Sequence, residues 1–595
     1  MFPSQTSLIP VAVAVSRYLE KLVESNGWLA IRSFNEGWYP YWYLGLPAKY
    51  LLGPVVPMLL VLLHKLFPQV SLFSLSFILI TFSFIVGAIG WGELAGKISG
   101  NRIIGVFVSI AALILPWRYL SSLALEETTF IVARNLLPWV LFMIYVYLTE
   151  STRRKLIVVL LALSLLFLVN TSILPILIVG AGSVILAASY SAGQEGKSGK
   201  LKGIWGYSKK FLKALILSLV VVTLWYTPGY WSTVLFNPSI GGASAGKVIL
   251  RIFEILRNGL PFLLAIVSVF FSGKLKSRIT VFTLTWLLTF LFLSVFRLLG
   301  DPDFWQDWSS WFYELEIGIG FLMAQVAYSL IRKNEHRYSV KIYIVILILF
   351  LSPYWLSFRI YNTLGKPALI SQSIPQGVYA LTKLSEIAGE KRVFLSGSTV
   401  FWANALYDLN QVRGGQDKVA INPYWDHAAY QIREGESGEL ASVWLQSLGI
   451  TYALVHTPKS YEYYHDFVNL SKWKDVGKVI WQDKGDIILE MPKNSLARSI
   501  DLEKEYHTVK PKDGKDLSAL KAYLLPEKLP LKVSGFTNGY WISQDSPADA
   551  VRVAVTFDSN WKAYAGDGRK LKVEKDILGY VLIYTEGQRE IRLAY

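Results

Sequence analysis

Apolar residues in this chain come in long blocks rather than in amphipathic periods, and that constrains the fold more than anything else in the sequence. Blocks at roughly 71–92, 103–116, 129–149, 156–169, 172–190, 214–228, 257–272, 279–297, 317–331 and 342–358 are separated by short polar stretches. A straight span of a bilayer needs about 20 apolar residues, so the shorter blocks must extend into their flanks. The pattern predicts a polytopic α-helical membrane protein of about ten transmembrane helices. The overall composition agrees, with 53% hydrophobic residues in 595 and a mean hydropathy of +0.38.

The formal charge of +16 would suit nucleic acid if it were spread over a surface. It is not. The loops 93–102, 150–155, 191–213, 273–278 and 332–341 hold 18 Lys/Arg against four Glu, whereas 117–128, 229–256 and 298–316 hold three Lys/Arg against eight acids. The positive-inside rule puts the first set in the cytoplasm. The basicity is thus topological, nucleic acid is excluded as a partner, and the lipid bilayer is the expected one. This orientation places both the stretch before Ser71 and everything after about Tyr361 outside the cytoplasm, in a cytoplasmic (plasma) membrane protein with an extracytoplasmic C-terminal region.

The boundaries expected are an external first loop with interfacial helices over 1–70, a helical core over 71–360, an α/β domain over 361–496 and a β-sandwich-like domain over 497–595. Leu51–Leu66, interrupted by Gly53, Pro54 and Pro57, is expected to lie along the outer membrane face. Within the soluble end, "KRVFLSG" (391–397) and "TYALVHT" (451–457) read as buried strands, and "KVIWQDKGDIILEM" (478–491) as a hairpin turning at Lys484–Gly485. "MFPSQTSLIPVAVAVSRYLEKL" lacks the pattern of a cleavable signal peptide, and an external start without a preceding span reads as if a first transmembrane helix were missing.

With no cysteine, thiol catalysis and disulfides are excluded, and the six histidines never recur at metal-ligand spacing. Carboxylates could still hold Mg²⁺ or Mn²⁺. The external loops concentrate such groups: Glu126 and Glu127, then Asp301, Asp303, Asp307, Glu314 and Glu316, with Trp305, Trp308 and Trp311 interleaved among the later acids. Sugar rings stack on aromatic faces, and a carboxylate can act as general base or hold a metal on a phosphate. Arg118, Arg134 and Arg257 lie near the same surface and suit phosphate through the planar guanidinium fork. The bland alternative is an aromatic belt with solvated acids. For an ionisable group inside a span, such as Arg134, the functional reading is the stronger one.

The combination of a multi-span core, an external loop rich in aromatics, Gly and Pro, and a C-terminal external domain resembles the GT-C superfamily of membrane glycosyltransferases. "WYPYWYLGLPAKYLLGPVVPML" (38–59) carries the first-loop likeness. "EETTFIVARNLLPWVLFMIY" (126–145), "SLGITYALV" (447–455) and "FDSNWKAYAGDGRKLKV" (557–573) are similar to stretches of the membrane family labelled 6-pyruvoyl-tetrahydropterin synthase-related. The resemblance implies transfer of a sugar from a polyprenyl-phosphate carrier to a glycan or lipid acceptor on the outer face. It also implies an acidic base in the first external loop. The sequence departs there, since Glu20, Glu24 and Glu36 are the only acids before Leu51. Glu36 is the local candidate, and Glu126 or Glu127 stands in as base or metal ligand, with Arg134, Arg118 and Arg257 for phosphate. Trp38, Tyr39, Trp42, Trp305, Trp308, Asp301 and Asp303 complete the expected sugar site. Two other classes remain open: a non-catalytic glycan-binding or assembly protein, favoured by the missing first-loop acid, and a lipid or solute transporter, against which stands the lack of an inverted repeat.

Overall fold

The computed structural model describes residues 1–192, 197–236, 245–271, 277–299, 308–333, 369–491 and 494–595, with isolated positions between 344 and 362. They divide into two compact units: Met1–Ala12, Leu52–Leu224 and Val248–Ser371 form the first, and Val13–Leu51, Trp225–Lys247 and Gln372–Tyr595 form the second.

The first unit is helical. In chain order it contains α1 (Val55–Leu66), α2 (Leu72–Ser99), α3 (Arg102–Ile114), α4 (Trp117–Leu125), α5 (Thr128–Glu150) and α6 (Arg153–Val169). It continues with α7 (Leu174–Ala192), α8 (Lys197–Val222), α9 (Ala245–Phe271), α10 (Arg278–Leu299) and α11 (Trp308–Lys333). The apolar blocks from 71 to 331 thus fall largely on helices, while more than half of 342–358 lies outside the described residues. Among the described residues five helices are long and apolar enough to cross a membrane, and a sixth span results if α3 and α4, bent by 43°, are taken together. The chain is an integral membrane protein. Helix α6 has 17 residues, short of the length of a straight span.

Local sequence sets the breaks. Ser71 caps α2 by accepting from the Ser74 backbone N–H, and Gly100 ends it at φ 68°, the left-handed conformation that glycine adopts without penalty. Asn101 immediately caps α3. Leu115–Pro116 interrupts the next run, because proline removes a helical donor, and Glu127 caps α5 through the N–H groups of Thr129 and Phe130. Helices α2 and α3 pack on small residues: a Cβ on Gly92 would stand 2.7 Å from the Gly105 carbonyl oxygen, and one on Gly105 would stand 2.7 Å from that of Gly92. Close backbone approach of this kind is how apolar helices gain dispersion contact when lipid is as apolar as they are.

The second unit is α/β and β. Its four-stranded sheet has the order β1 (Val393–Phe394), β2 (Tyr452–His456), β4 (Asp486–Glu490), β3 (Lys478–Asp483). The first pair is parallel and the others antiparallel. All five residues of β2 are buried, and the β3–β4 hairpin turns at Lys484 and Gly485, both at positive φ, where the sequence placed it. Two further five-stranded antiparallel sheets follow from Ala497 to Ala594. Val551, Val553 and Ile583 of one share a core with Ile542, Ala563, Ile591 and Leu593 of the other, which makes the pair a sandwich. Trp38 is part of that core.

The glycine contact gives a test of the helical unit. Gly92→Leu should lower stability by about 1–3 kcal/mol through overpacking, read as a lower melting temperature in detergent. Gly182→Ala, where an added Cβ meets nothing within 4 Å among the described residues, should not lower melting.

Candidate functional site

Within the helical unit, α4, α5 and α11 bring together charges that the sequence scatters over almost 200 positions. Arg134, on the second turn of α5, is 1% exposed. Its Nη1 donates to both carboxylate oxygens of Glu126, at 2.6 and 2.7 Å. Its Nε and Nη2 donate to the two oxygens of Glu314, at 2.8 and 2.9 Å, as a bidentate fork. The Tyr313 ring lies 4.0 Å from the guanidinium carbon and the Phe130 ring 4.9 Å. Glu126 also accepts from the Ser122 hydroxyl at 3.0 Å. One cation thus holds two carboxylates, and the triad carries a net negative charge when all three groups are ionised.

A second buried guanidinium stands beside it. Arg118, in the first turn of α4, donates through Nη2 to Asn135 Oδ1 at 2.7 Å and through Nη1 to the Ala112 carbonyl. The Tyr313 ring lies 5.5 Å from it, so this ring contacts both guanidiniums. The Tyr313 hydroxyl donates to Asn135 Oδ1 at 3.1 Å. Glu316 accepts from the backbone N–H groups of Trp117 and Arg118, at 3.0 and 2.9 Å. A carboxylate at the first turn of a helix satisfies orphan donors and complements the helix dipole. Glu127 is occupied differently: it takes the N–H groups of Thr129 and Phe130, at 2.8 and 3.2 Å, and the Thr129 hydroxyl. Asn170 donates to that hydroxyl at 2.7 Å.

The other expected site residues are placed as follows. Arg257 is exposed on α9. In the second unit, Glu36 is solvated and pairs with Arg32 at 3.0 Å, one turn earlier. Trp38 is 1% exposed, and Tyr39 and Trp42 are fully buried. Trp38 packs against Trp561 and Tyr595, and Trp42 donates to Asn404 Oδ1 at 2.9 Å, so protein covers these rings. Asp301, Asp303 and Trp305 lie outside the described residues, as does the side chain of Trp308. Among the described residues no three His, Asp or Glu groups converge as a metal site would require.

Of the residues singled out in the sequence, Glu126, Arg118 and Arg134 come together here, whereas Glu314 and Glu316 entered only as loop acids. The structure puts both on α11, inside its apolar run. The available signal was an acid directly followed by a span-forming segment, "YELEIGIGFLMA".

No family model matches the sequence, and no curated protein matches it. Among solved structures, the chain is similar to the archaeal oligosaccharyltransferase AglB from Archaeoglobus fulgidus, in complex with an inhibitory peptide and a dolichol-phosphate. The identity is 12% and the TM-score 0.43, over 74% of this chain and 65% of that one. It is also similar to the arabinofuranosyltransferase AftD from Mycobacteria, at 12% identity and a TM-score of 0.44, over 100% of this chain and 57% of that one. This chain therefore spans less than two thirds of the length of either.

Arg134→Met would leave Glu126 and Glu314 buried without their shared cation, at a cost of about 3–5 kcal/mol. The expected result is a large drop in melting temperature in detergent, partly recovered when Glu314→Gln is added.

Proposed function

We propose that this protein is a membrane glycosyltransferase that moves a sugar from a polyprenyl-phosphate-linked donor to a glycan or lipid acceptor on the extracytoplasmic face. The observation that carries the reading is the buried cluster of Glu126, Arg134 and Glu314. Ionisable groups inside apolar helices are costly and tend to mark function, and here they combine a carboxylate with the cation best suited to phosphate. The sequence resemblance to GT-C enzymes supports the donor class.

In this reading Glu126 is the general base. Both Glu127 oxygens serve the start of α5, which leaves Glu126 as the acid of the pair that faces a guanidinium. Glu126 takes the proton from an acceptor hydroxyl, and the hydroxyl oxygen attacks the anomeric carbon of the donor. The bond from that carbon to the phosphate oxygen breaks, and its electron pair leaves with the phosphate. Arg134 stabilises the departing charge, with Arg118 as the second nearby cation. The N-terminal end of α5 adds its dipole to the same region.

One observation favours the rival reading of a non-catalytic glycan-binding or assembly protein. Arg134 is already saturated by protein carboxylates, so the cluster satisfies itself as a structural lock would. Transfer assays separate the two. In proteoliposomes supplied with a panel of labelled polyprenyl-phosphate sugars, Glu126→Gln should reduce transfer by about 10²–10⁴-fold, with melting close to that of the unaltered protein. Glu127→Gln should keep the rate. Wild-type turnover by the Glu126 variant would sink the assignment of the base, and a wild-type protein that binds glycan without transferring any sugar would establish the rival.

A further inference from the structure

The second unit contains a cavity of about 880 Å³, within the about 300–1,000 Å³ usual for small-ligand sites. Arg392 is among its lining residues and is 1% exposed. Its Nε donates to Asn410 Oδ1 at 3.3 Å. Its Nη1 donates to the Leu448 carbonyl at 2.8 Å and to that of Ala554. Among the described residues its Nη2 has no hydrogen-bond partner. Burial lowers the guanidinium pKa to about 10, and the neighbouring groups opposing that shift are Tyr540 and Tyr580, not a carboxylate.

The cavity has acids, and each is engaged elsewhere. Asp408 pairs with Lys21, and with Arg17 at 3.9 Å. Glu390 accepts from the Gly535 N–H at 3.2 Å, and Glu490 from the Tyr452 hydroxyl at 3.4 Å. A buried cation without a counterion is expensive for the fold to keep, and a ligand anion would supply the missing partner. The remaining walls suit a sugar ring. Tyr18 and Tyr41 line the cavity with their rings edge-to-face at 6.2 Å, and Asn410, Asn494 and Asn538 bring amide groups for hydroxyls.

We infer that this cavity binds a saccharide bearing an acidic group, carboxylate or phosphate, with the anion held at Arg392. The inference stands on the second unit alone and does not depend on sugar transfer by the helical unit.

Calorimetric titration of the full-length protein in lipid nanodiscs tests it, with galacturonate, glucose 1-phosphate, glucose and inorganic phosphate as probes. At least one of the two acidic sugars should bind about tenfold or more tighter than both glucose and inorganic phosphate, and the tighter of the two identifies the acid. Asn410→Asp, which places a carboxylate beside Arg392 at unchanged volume, should weaken that binding by about tenfold or more. Asp408→Asn, at the half-exposed side of the cavity, should strengthen it. Acidic sugars binding no tighter than glucose or phosphate, or the two variants failing to move affinity in opposite directions, would overturn the assignment.

Discussion

Arg134 between Glu126 and Glu314 is the constraint on which the helical unit depends. Three charges in an apolar bundle are tolerable only when the pairing geometry is tight and the leftover hydrogen-bonding sites are filled. Both conditions are met by short contacts from one guanidinium to four carboxylate oxygens. Because Glu126 follows α4, Arg134 lies on α5 and Glu314 lies on α11, the pairing fixes the mutual placement of those three helices more narrowly than apolar packing could. Glu316 adds a second tie from α11, to the start of α4. The Trp286 indole N–H donates to the Glu314 carbonyl at 2.7 Å, which brings α10 into the same arrangement.

The sequence made the helices legible because their apolar runs are long, and made their ends legible where a side chain can cap. Ser71, Asn101 and Thr152 each stand just before a run and accept from its first turn. The β3–β4 turn was equally readable, since Gly485 tolerates positive φ and the flanking residues alternate. What could not be read was pairing. Arg134 and Glu314 are 180 residues apart, and no periodicity links them; only the topology of the bundle does. Aromatic residues posed a different difficulty. Tryptophan is favoured both at membrane interfaces and in cores, so composition alone could not show that Trp38 belongs to the sandwich and not to an open surface. Its burial there, against Trp561 and Tyr595, depends on strands more than 500 residues downstream.

The cluster explains why Glu126 and Glu127, adjacent in sequence, have different chemical prospects. Glu127 meets the orphan N–H groups at the start of α5, a role worth about 0.5–2 kcal/mol in helix stability, and that fixes both of its oxygens. Glu126 lies one residue outside the helix and so escapes capping. Its charge is balanced by a side chain, and a side-chain partner can exchange for a ligand phosphate where backbone donors cannot move. The distinction comes from one residue of register against the helix end.

A comparison within the second unit sharpens the significance of Arg392. Arg552 is just as deeply buried, at 3% exposure, yet it is surrounded by Glu505, by Glu527 at 3.3 Å and by Asp576 at 3.2 Å, with the Tyr523 ring 3.8 Å from its guanidinium carbon. Arg498 nearby shares Glu527 at 3.2 Å. In the second unit, Arg552 and Arg498 are thus neutralised by carboxylates. Arg392 is given carbonyls and an amide instead, which satisfy donors without cancelling charge. A purely structural guanidinium gains nothing from that arrangement over a neutral donor of similar shape, since desolvating the charge is costly and carbonyl dipoles return only part of it. The retained charge has a physical use when a mobile anion completes the site, and the cavity beside Arg392 is large enough to admit one.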